Sequence, residues 1–250
     1  SMEKNAGSAG IYAKNNARKC CAGVAGMLQL SCTQKPASHD RQNSSKRCHG
    51  KGDFGMKVAM IGHKDFPSRS GGVEVMVGGL ATSLVRRGYE VTVYNRGLQK
   101  GHNVYTTDGV QARRIFTFKK ASLNAMVYSF LATFDALTRD CDVIHYHAIG
   151  PSVPLVIAKL FGKHTVCTVH GLNWKVDKWG GFASAYLKLG ERVAAKYADD
   201  LVVLSETEWN YFLQKYNRAS ILIPNAIRFY EKRACSLIRE KYGLARGEYI

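Results

Sequence analysis

KVAMIGHKDFPSRSGGVE, residues 57–74, is the stretch whose reading decides the fold. Residues 57–62 (KVAMIG) are apolar without alternation, as a strand buried on both faces requires. Residues 72–87 carry Val73, Val77, Leu80, Ala81 and Leu84 at helical spacing, and Gly88 stops them. Strand, glycine-bearing loop and helix open a βαβ unit. Further strands are expected at 90–94, 111–118, 142–147, 165–170, 200–204 and 220–223. Helices are expected at 121–138, 151–161, 182–197 and 206–216. This alternation predicts an α/β fold, a Rossmann-like doubly wound parallel sheet with helices on both faces. Ligands of such sheets bind beyond the C-terminal strand ends.

Working outward, residues 1–55 are rich in Ser, Gly, Asn, Lys and Arg and show no sustained period. They read as a disordered tail or an added extension. Cys20, Cys21, Cys32, Cys48 and His49 match no usual zinc spacing. Residues 56–227 form the predicted domain. Residues 226–230 are irregular, residues 231–242 read as a helix, and 247–250 (GEYI) as the opening of another strand. Residues 228–250 are therefore expected to be a crossover into a second domain of a longer parent.

The chain has 250 residues, 46% of them hydrophobic, enough for a sizeable core. Its 36 Lys and Arg against 19 Asp and Glu give +17, a field that favours anionic partners. The basic residues are scattered and no nucleic-acid motif is present, so nucleic acid is not expected as a partner. The seven cysteines do not form a disulfide framework and suit a reducing cytosol. No apolar run reaches the ~18 residues that span a bilayer, and the short run at 22–30 is not placed like a secretory signal.

Three segments carry candidate chemistry. Gly71 and Gly72 open the helix after the first strand, where backbone N–H groups and the helix N-terminus suit a phosphate. A plain turn is the competing reading. Arg69 stands nearby as a cation. G-x-G-x-x-G and a Walker lysine are absent, and Tyr94-Asn95-Arg96 offers no acid for a ribose, so nicotinamide binding is not indicated. DVIHYHAIGP places His145 and His147 on one strand face by period 2, and TVHGLNW places His170 at an equivalent depth next door. Zinc, a satisfied core histidine, and contact with a hydroxylated or phosphorylated substrate are the three readings. Ser205 and Glu208 read as a capping box, and Pro224-Asn225 in IPNAI as a chain reversal.

In this order, KVAMIGHKDFPSRSGGVE, DVIHYHAIGP, TVHG and IPNAI resemble the N-terminal domain of retaining GT-B glycosyltransferases of family 4, especially bacterial rhamnosyltransferase-type members. The resemblance runs over residues 56–250. It implies two Rossmann-like domains across a cleft, the N-terminal one holding the acceptor and the C-terminal one a nucleotide-diphosphate sugar. It implies that Gly71 and Gly72, with Arg69, meet the donor phosphates or sugar, and that His147 lies at the reaction centre. His170, with His145 and Asn173, would line the acceptor side. Transfer would be metal-independent and need no cofactor beyond the nucleotide sugar as co-substrate. The donor-binding half, with its basic residue and glutamates, is absent from these residues, so little activity is expected of the chain alone. Ala226 stands where many members have glycine.

Residues 182–197 add a basic amphipathic helix. Phe182, Tyr186, Leu189, Val193 and Tyr197 make one stripe, Lys188, Arg192 and Lys196 another, and Trp174 and Trp179 precede it. Such a helix suits an anionic membrane surface, and equally an ordinary packed surface helix. The expectation is a cytoplasmic enzyme of polysaccharide biosynthesis, peripheral at the inner membrane face, acting on a glycan or lipid-linked acceptor. The alternative is a non-catalytic acceptor- or lipid-binding module that partners a separate donor-binding chain.

Overall fold

The computed structural model describes residues 55–98, 103–119, 121–172, 181–225, 236–244 and 247–248. Eight strands form one sheet: β1 (Lys57–Ile61), β2 (Glu90–Gly97), β3 (Val104–Thr107), β4 (Val110–Phe116), β5 (Val143–His147), β6 (His164–Val169), β7 (Asp200–Val203) and β8 (Ile221–Leu222). The helices are α1 (Gly72–Val85), α2 (Ala121–Thr138), α3 (Leu155–Leu160), α4 (Gly181–Tyr197), α5 (Glu206–Tyr216) and α6 (Ser236–Tyr242).

The sheet order is β3-β4-β2-β1-β5-β6-β7-β8. All neighbours pair in parallel except β3 with β4. From β1 the chain steps to β2 on one side, and from β5 to β6 on the other. The reversal between β1 and β5 is the point where ligand crevices form in doubly wound sheets.

Strand alternation divides the core. Ala59, Ile61, Ile144, Tyr146, Cys167, Val169, Leu201 and Val203 pack with Tyr128 and Ala132 of α2, Val193 and Ala194 of α4 and Phe212 of α5. Val58, Met60, Val143, Val166 and Val202 face the other way, with Val77, Leu80, Ala81 and Leu84 of α1. Opposite faces for α1 and for α3–α5 are what right-handed crossovers produce when the strand order reverses.

Three sequence expectations change. β3 is a short edge strand that the strand reading passes over; Asp108 and Gly109 join it to β4 with φ of 53° and 77°, the double positive φ of a tight hairpin turn. The expected helix 151–161 is four turn residues and then α3, because Val153 precedes Pro154 and the α conformation is disfavoured there. Gly247 and Glu248, expected to open a strand, form a turn and a bend, and residues 249–250 lie outside the described residues. Residues 1–54, Asn173, Trp174, Trp179, Ala226 and Cys235 lie outside the described residues, as do the zinc candidates of the N-terminal segment. Cys141 and Cys167 are buried free thiols. No helix among the described residues is long and apolar enough to cross a membrane.

Candidate active site

The site is built at the tips of β1, β5 and β6, on the face that carries α1. β1 gives way at Ile61 to Gly62, whose φ is 132° and whose missing Cβ would stand 2.1 Å from the His147 carbonyl oxygen. Two strand tips approach there so closely that only glycine fits. β5 ends at His147 because Ala148 turns into left-handed space at φ 75°, a conformation costing an L-residue on the order of 1 kcal/mol.

The loop from β1 to α1 is held by β2. Arg96 N–H donates to the Lys64 carbonyl at 2.8 Å. The Arg96 Nη2 donates to the Gly62 carbonyl at 2.9 Å, and its Nη1 to Asn124 Oδ1 at 3.1 Å. Asn95 Nδ2 donates to the Phe66 carbonyl at 2.8 Å and to Tyr105 Oη at 2.7 Å. The loop ends at Gly71 in extended conformation, and α1 begins at Gly72.

Three histidines project from the same face of β5 and β6. The rings of His145 and His147 lie 4.0 Å apart, and those of His147 and His170 5.6 Å apart. His147 Nδ1 and His170 Nε2 share a hydrogen bond of 3.4 Å. His145 Nε2 bonds Thr168 Oγ1 at 2.8 Å and is buried. His145 is thus the satisfied core histidine of the three, packed behind His147, and the expectation that it meets an acceptor gives way to that role. His147 is itself 0% exposed, with no partner at Nε2 among the described residues. His170 is half-buried and is the member nearest solvent.

Burial keeps these rings neutral. It lowers His145 to about 3 and His170 to about 4. His147 is pushed well below the ordinary imidazole range, by burial first and then by the neighbouring His145, His170 and His63.

Three further members complete the site: sequence reasoning passes over His63 and Arg96, and offers Glu74 only as one of two carboxylates, with Asp65, that could act as a nucleophile. His63, at the β1 tip, is buried and bonded through Nε2 to Asn95 Oδ1 at 2.9 Å. Glu74, in the first turn of α1, is 6% exposed and accepts the Lys64 N–H at 3.2 Å. Its charge acts on His63, Arg96 and His170, which places all four in one neighbourhood. Arg96, over the Tyr128 ring at 5.1 Å, is the third. The available signal was an acid at the third position of a helix that opens with two glycines.

Glu74 also refines the glycine loop. A Cβ on Gly71 would stand 2.4 Å from Glu74 Oε2, so this carboxylate lies over the loop where an anion was expected. Gly72 is exposed, with nothing within 4 Å of the Cβ position, and Arg69 is exposed beside it. Glu74 links the loop to the histidines: it lies against Gly71, and its charge reaches His170. Lys188, Arg192 and Lys196 lie elsewhere, exposed on α4. Among the described residues no group of three His, Cys, Asp or Glu is arranged to hold a metal.

The signature of Glycosyltransferase Family 4 matches residues 70–229, more than half of the chain. No curated protein matches. Among solved structures, the sucrose-phosphate synthase of Thermosynechococcus elongatus superposes with a TM-score of 0.59 at 17% identity, over 76% of this chain and 53% of its own. A structure described as trehalose-6-phosphate from E. coli bound with UDP-2-fluoro glucose aligns with a TM-score of 0.43 at 11% identity, over 63% of this chain and 42% of its own. The likeness to the synthase is one of fold, and this chain spans about half the synthase's length.

Proposed function

We propose, from the premise that this chain belongs to glycosyltransferase family 4, that it is the acceptor-side half of a two-domain enzyme. The enzyme takes a hexose, of the rhamnosyl type, from a nucleotide-diphosphate sugar with retention of configuration and without a metal. The acceptor is a lipid-linked or polysaccharide glycan at a cytoplasmic membrane face. The donor-binding half would come from residues beyond these 250.

One observation carries the reading: the α1 N-terminus, Glu74, His147 and His170 converge at the reversal between β1 and β5. Breaking a sugar–phosphate bond builds positive charge on the sugar and negative charge on the leaving diphosphate. Fixed dipoles aimed at that charge lower the barrier. The N-terminus of α1 supplies such a dipole at Gly72, with Arg69 as a mobile cation. Gly71 is less suited to an anion because the Glu74 carboxylate is already there. Half-buried His170 is the imidazole placed to meet a hydroxyl, and His147 holds it from behind. Both are neutral near pH 7, so they orient hydroxyls rather than carry charge.

The test is transfer from UDP- and TDP-sugars by the protein read from the gene with its downstream sequence. His147→Ala should lower turnover at least a hundredfold while the circular-dichroism spectrum is kept. Unchanged turnover removes His147 from the mechanism, and absence of an in-frame donor half removes the two-domain reading.

A further inference from the structure

Buried polar atoms without partners call for an explanation, because each costs about 1–3 kcal/mol. Three lie at this site: His63 Nδ1, Arg96 Nε and His147 Nε2. The first has a determined protonation. Asn95 directs its amide N–H groups to the Phe66 carbonyl and to Tyr105 Oη. The Phe66 carbonyl has no proton to give, so the Asn95 amide cannot be turned round. Asn95 Oδ1 therefore faces His63 Nε2 at 2.9 Å and can only accept. His63 must carry its hydrogen on Nε2. Burial, ahead of the opposing bond to Asn95, holds the ring down to about 4, so near neutral pH it has one hydrogen only. Nδ1 is then a bare lone pair.

We infer that His63 Nδ1 is a hydroxyl-reading acceptor of the sugar site, and that Asn95 is the positioning residue that fixes its tautomer. The inference rests on the glycosyltransferase reading and deepens it. His63 sits at the tip of β1 beside the reversal point, and its charge state is felt by His147 on the adjacent strand. The ring is 1% exposed and Nδ1 is closed to solvent, so the strand tips must part to admit a hydroxyl to the lone pair, and a whole sugar ring is excluded. A bare imidazole nitrogen accepts from O–H and rejects a carboxylate or phosphate oxygen, which brings no hydrogen. The subsite therefore selects a sugar hydroxyl over an anion. The hydroxyl belongs to the donor sugar or to the acceptor.

The experiment is long-range proton–nitrogen NMR on the 250-residue chain with labelled histidine. His63 should show the Nε2–H tautomer from pH 8 to pH 5; an Nδ1–H tautomer overturns the inference outright. UDP-glucose and methyl α-mannoside are then titrated separately. Movement of His63 Nδ1 with one sugar supports the inference and names the source as donor or acceptor. Movement of the His147 and His170 signals with His63 still overturns it and leaves the glycosyltransferase reading standing. No movement at any of the three overturns the inference, and the glycosyltransferase reading is then tested by transfer with the donor half present. His63→Leu should weaken binding of the responding sugar by about tenfold, the worth of one hydrogen bond. His63→Gln, which keeps an acceptor, should recover most of it. Equal loss in both variants, with melting unchanged, also overturns the inference.

Discussion

Gly62 has no side chain because the carbonyl oxygen of His147 occupies the place where one would stand, 2.1 Å from the Cβ position. The tips of β1 and β5 are locked together by that contact, and the site depends on their spacing. Gly62→Ala must move one strand tip and also hold alanine at a φ of 132°. It should cost on the order of 3 kcal/mol and lower Tm by roughly 6–12 °C for a chain of this size. Gly72→Ala is the control. It opens α1 with nothing within 4 Å, so it should change stability by less than about 1 kcal/mol. Thermal melts of the two variants side by side check the contrast; equal melting would show that the strand tips are not locked.

Acid should unfold the protein earlier than its carboxylates alone would require. His63, His145, His147 and His170 are all held below 6.5 by burial. The folded state resists protons that the unfolded chain binds. Stability is therefore complete above pH 6.5 and falls as pH drops towards 4. For fully buried His63 the loss by pH 4 is on the order of 3 kcal/mol. His164 has the opposite sign: its bond to Asp200 raises it, so its contribution is present below pH 6.5 and lost as pH rises. That ring is half-exposed, so its effect is smaller. Melting temperature should therefore fall steeply from pH 6.5 to pH 4, with proton uptake on unfolding near pH 5 approaching one per buried ring. A flat profile in that window would mean that the rings are not buried as described.

Much of this arrangement is legible in the sequence, and the limits are physical. The bounds of α2 and α5 are legible to the residue because their signals are local: apolar spacing in both and, for α5, the Ser205 cap, whose Oγ accepts the Glu208 N–H at 3.3 Å. The strand tips bearing His147 and His170 were legible because periods of 2 fix which face a residue takes. Period 2 could not separate His145 from His147. Thr168, on a different strand, makes that distinction by bonding His145. Asn95 and Arg96 were read only as lacking an acid, since their role comes from a loop more than twenty residues earlier folding across β2. Glu74 is legible in the sequence only as a candidate carboxylate beside Asp65, because its burial comes from the return of the loop. Short local signals outran the reading once, at Asp108-Gly109, where a two-residue turn marks the β3 hairpin.

Glu191 of α4 is fully buried and takes hydrogen bonds from Tyr211 at 2.8 Å, Lys215 at 2.8 Å and Tyr216 at 2.6 Å. This fastens α4 to α5. Burial alone would lower Lys215, but the Glu191 carboxylate outweighs it and holds the amine charged. Glu191→Ala removes the carboxylate that two phenols and the Lys215 ammonium share, while Lys215 keeps its bond to Tyr211 Oη and its access to water. Because Lys215 is 43% exposed and water takes up part of the loss, the expected cost is about 1–2 kcal/mol, or a Tm roughly 2–8 °C lower. Glu191→Gln keeps an acceptor and should lose about half as much. Chemical denaturation of both variants measures the difference, and equal costs would mean that the charge contributes nothing.

α4 carries the last prediction. The exposed face of this helix holds Lys188, Arg192 and Lys196 together with Phe182, 67% exposed, and Leu189, 44% exposed. The sequence pattern had separated apolar from basic residues. In the fold, Val193 turns to the core while Phe182 and Leu189 stay outside among the cations. Basic and apolar groups on one outer face suit the boundary of an anionic bilayer, each cation contributing about 1 kcal/mol at low salt. The chain should sediment with phosphatidylserine vesicles at low salt, much less with neutral vesicles, and be released by high salt. Changing Lys188, Arg192 and Lys196 together to Glu should abolish sedimentation with melting little altered, since all three side chains are at the surface. Phe182→Ser should weaken binding while leaving its salt dependence intact. If the triple variant sediments like the parent, binding does not run through α4; if the parent stays in the supernatant, this face is an ordinary solvated helix surface.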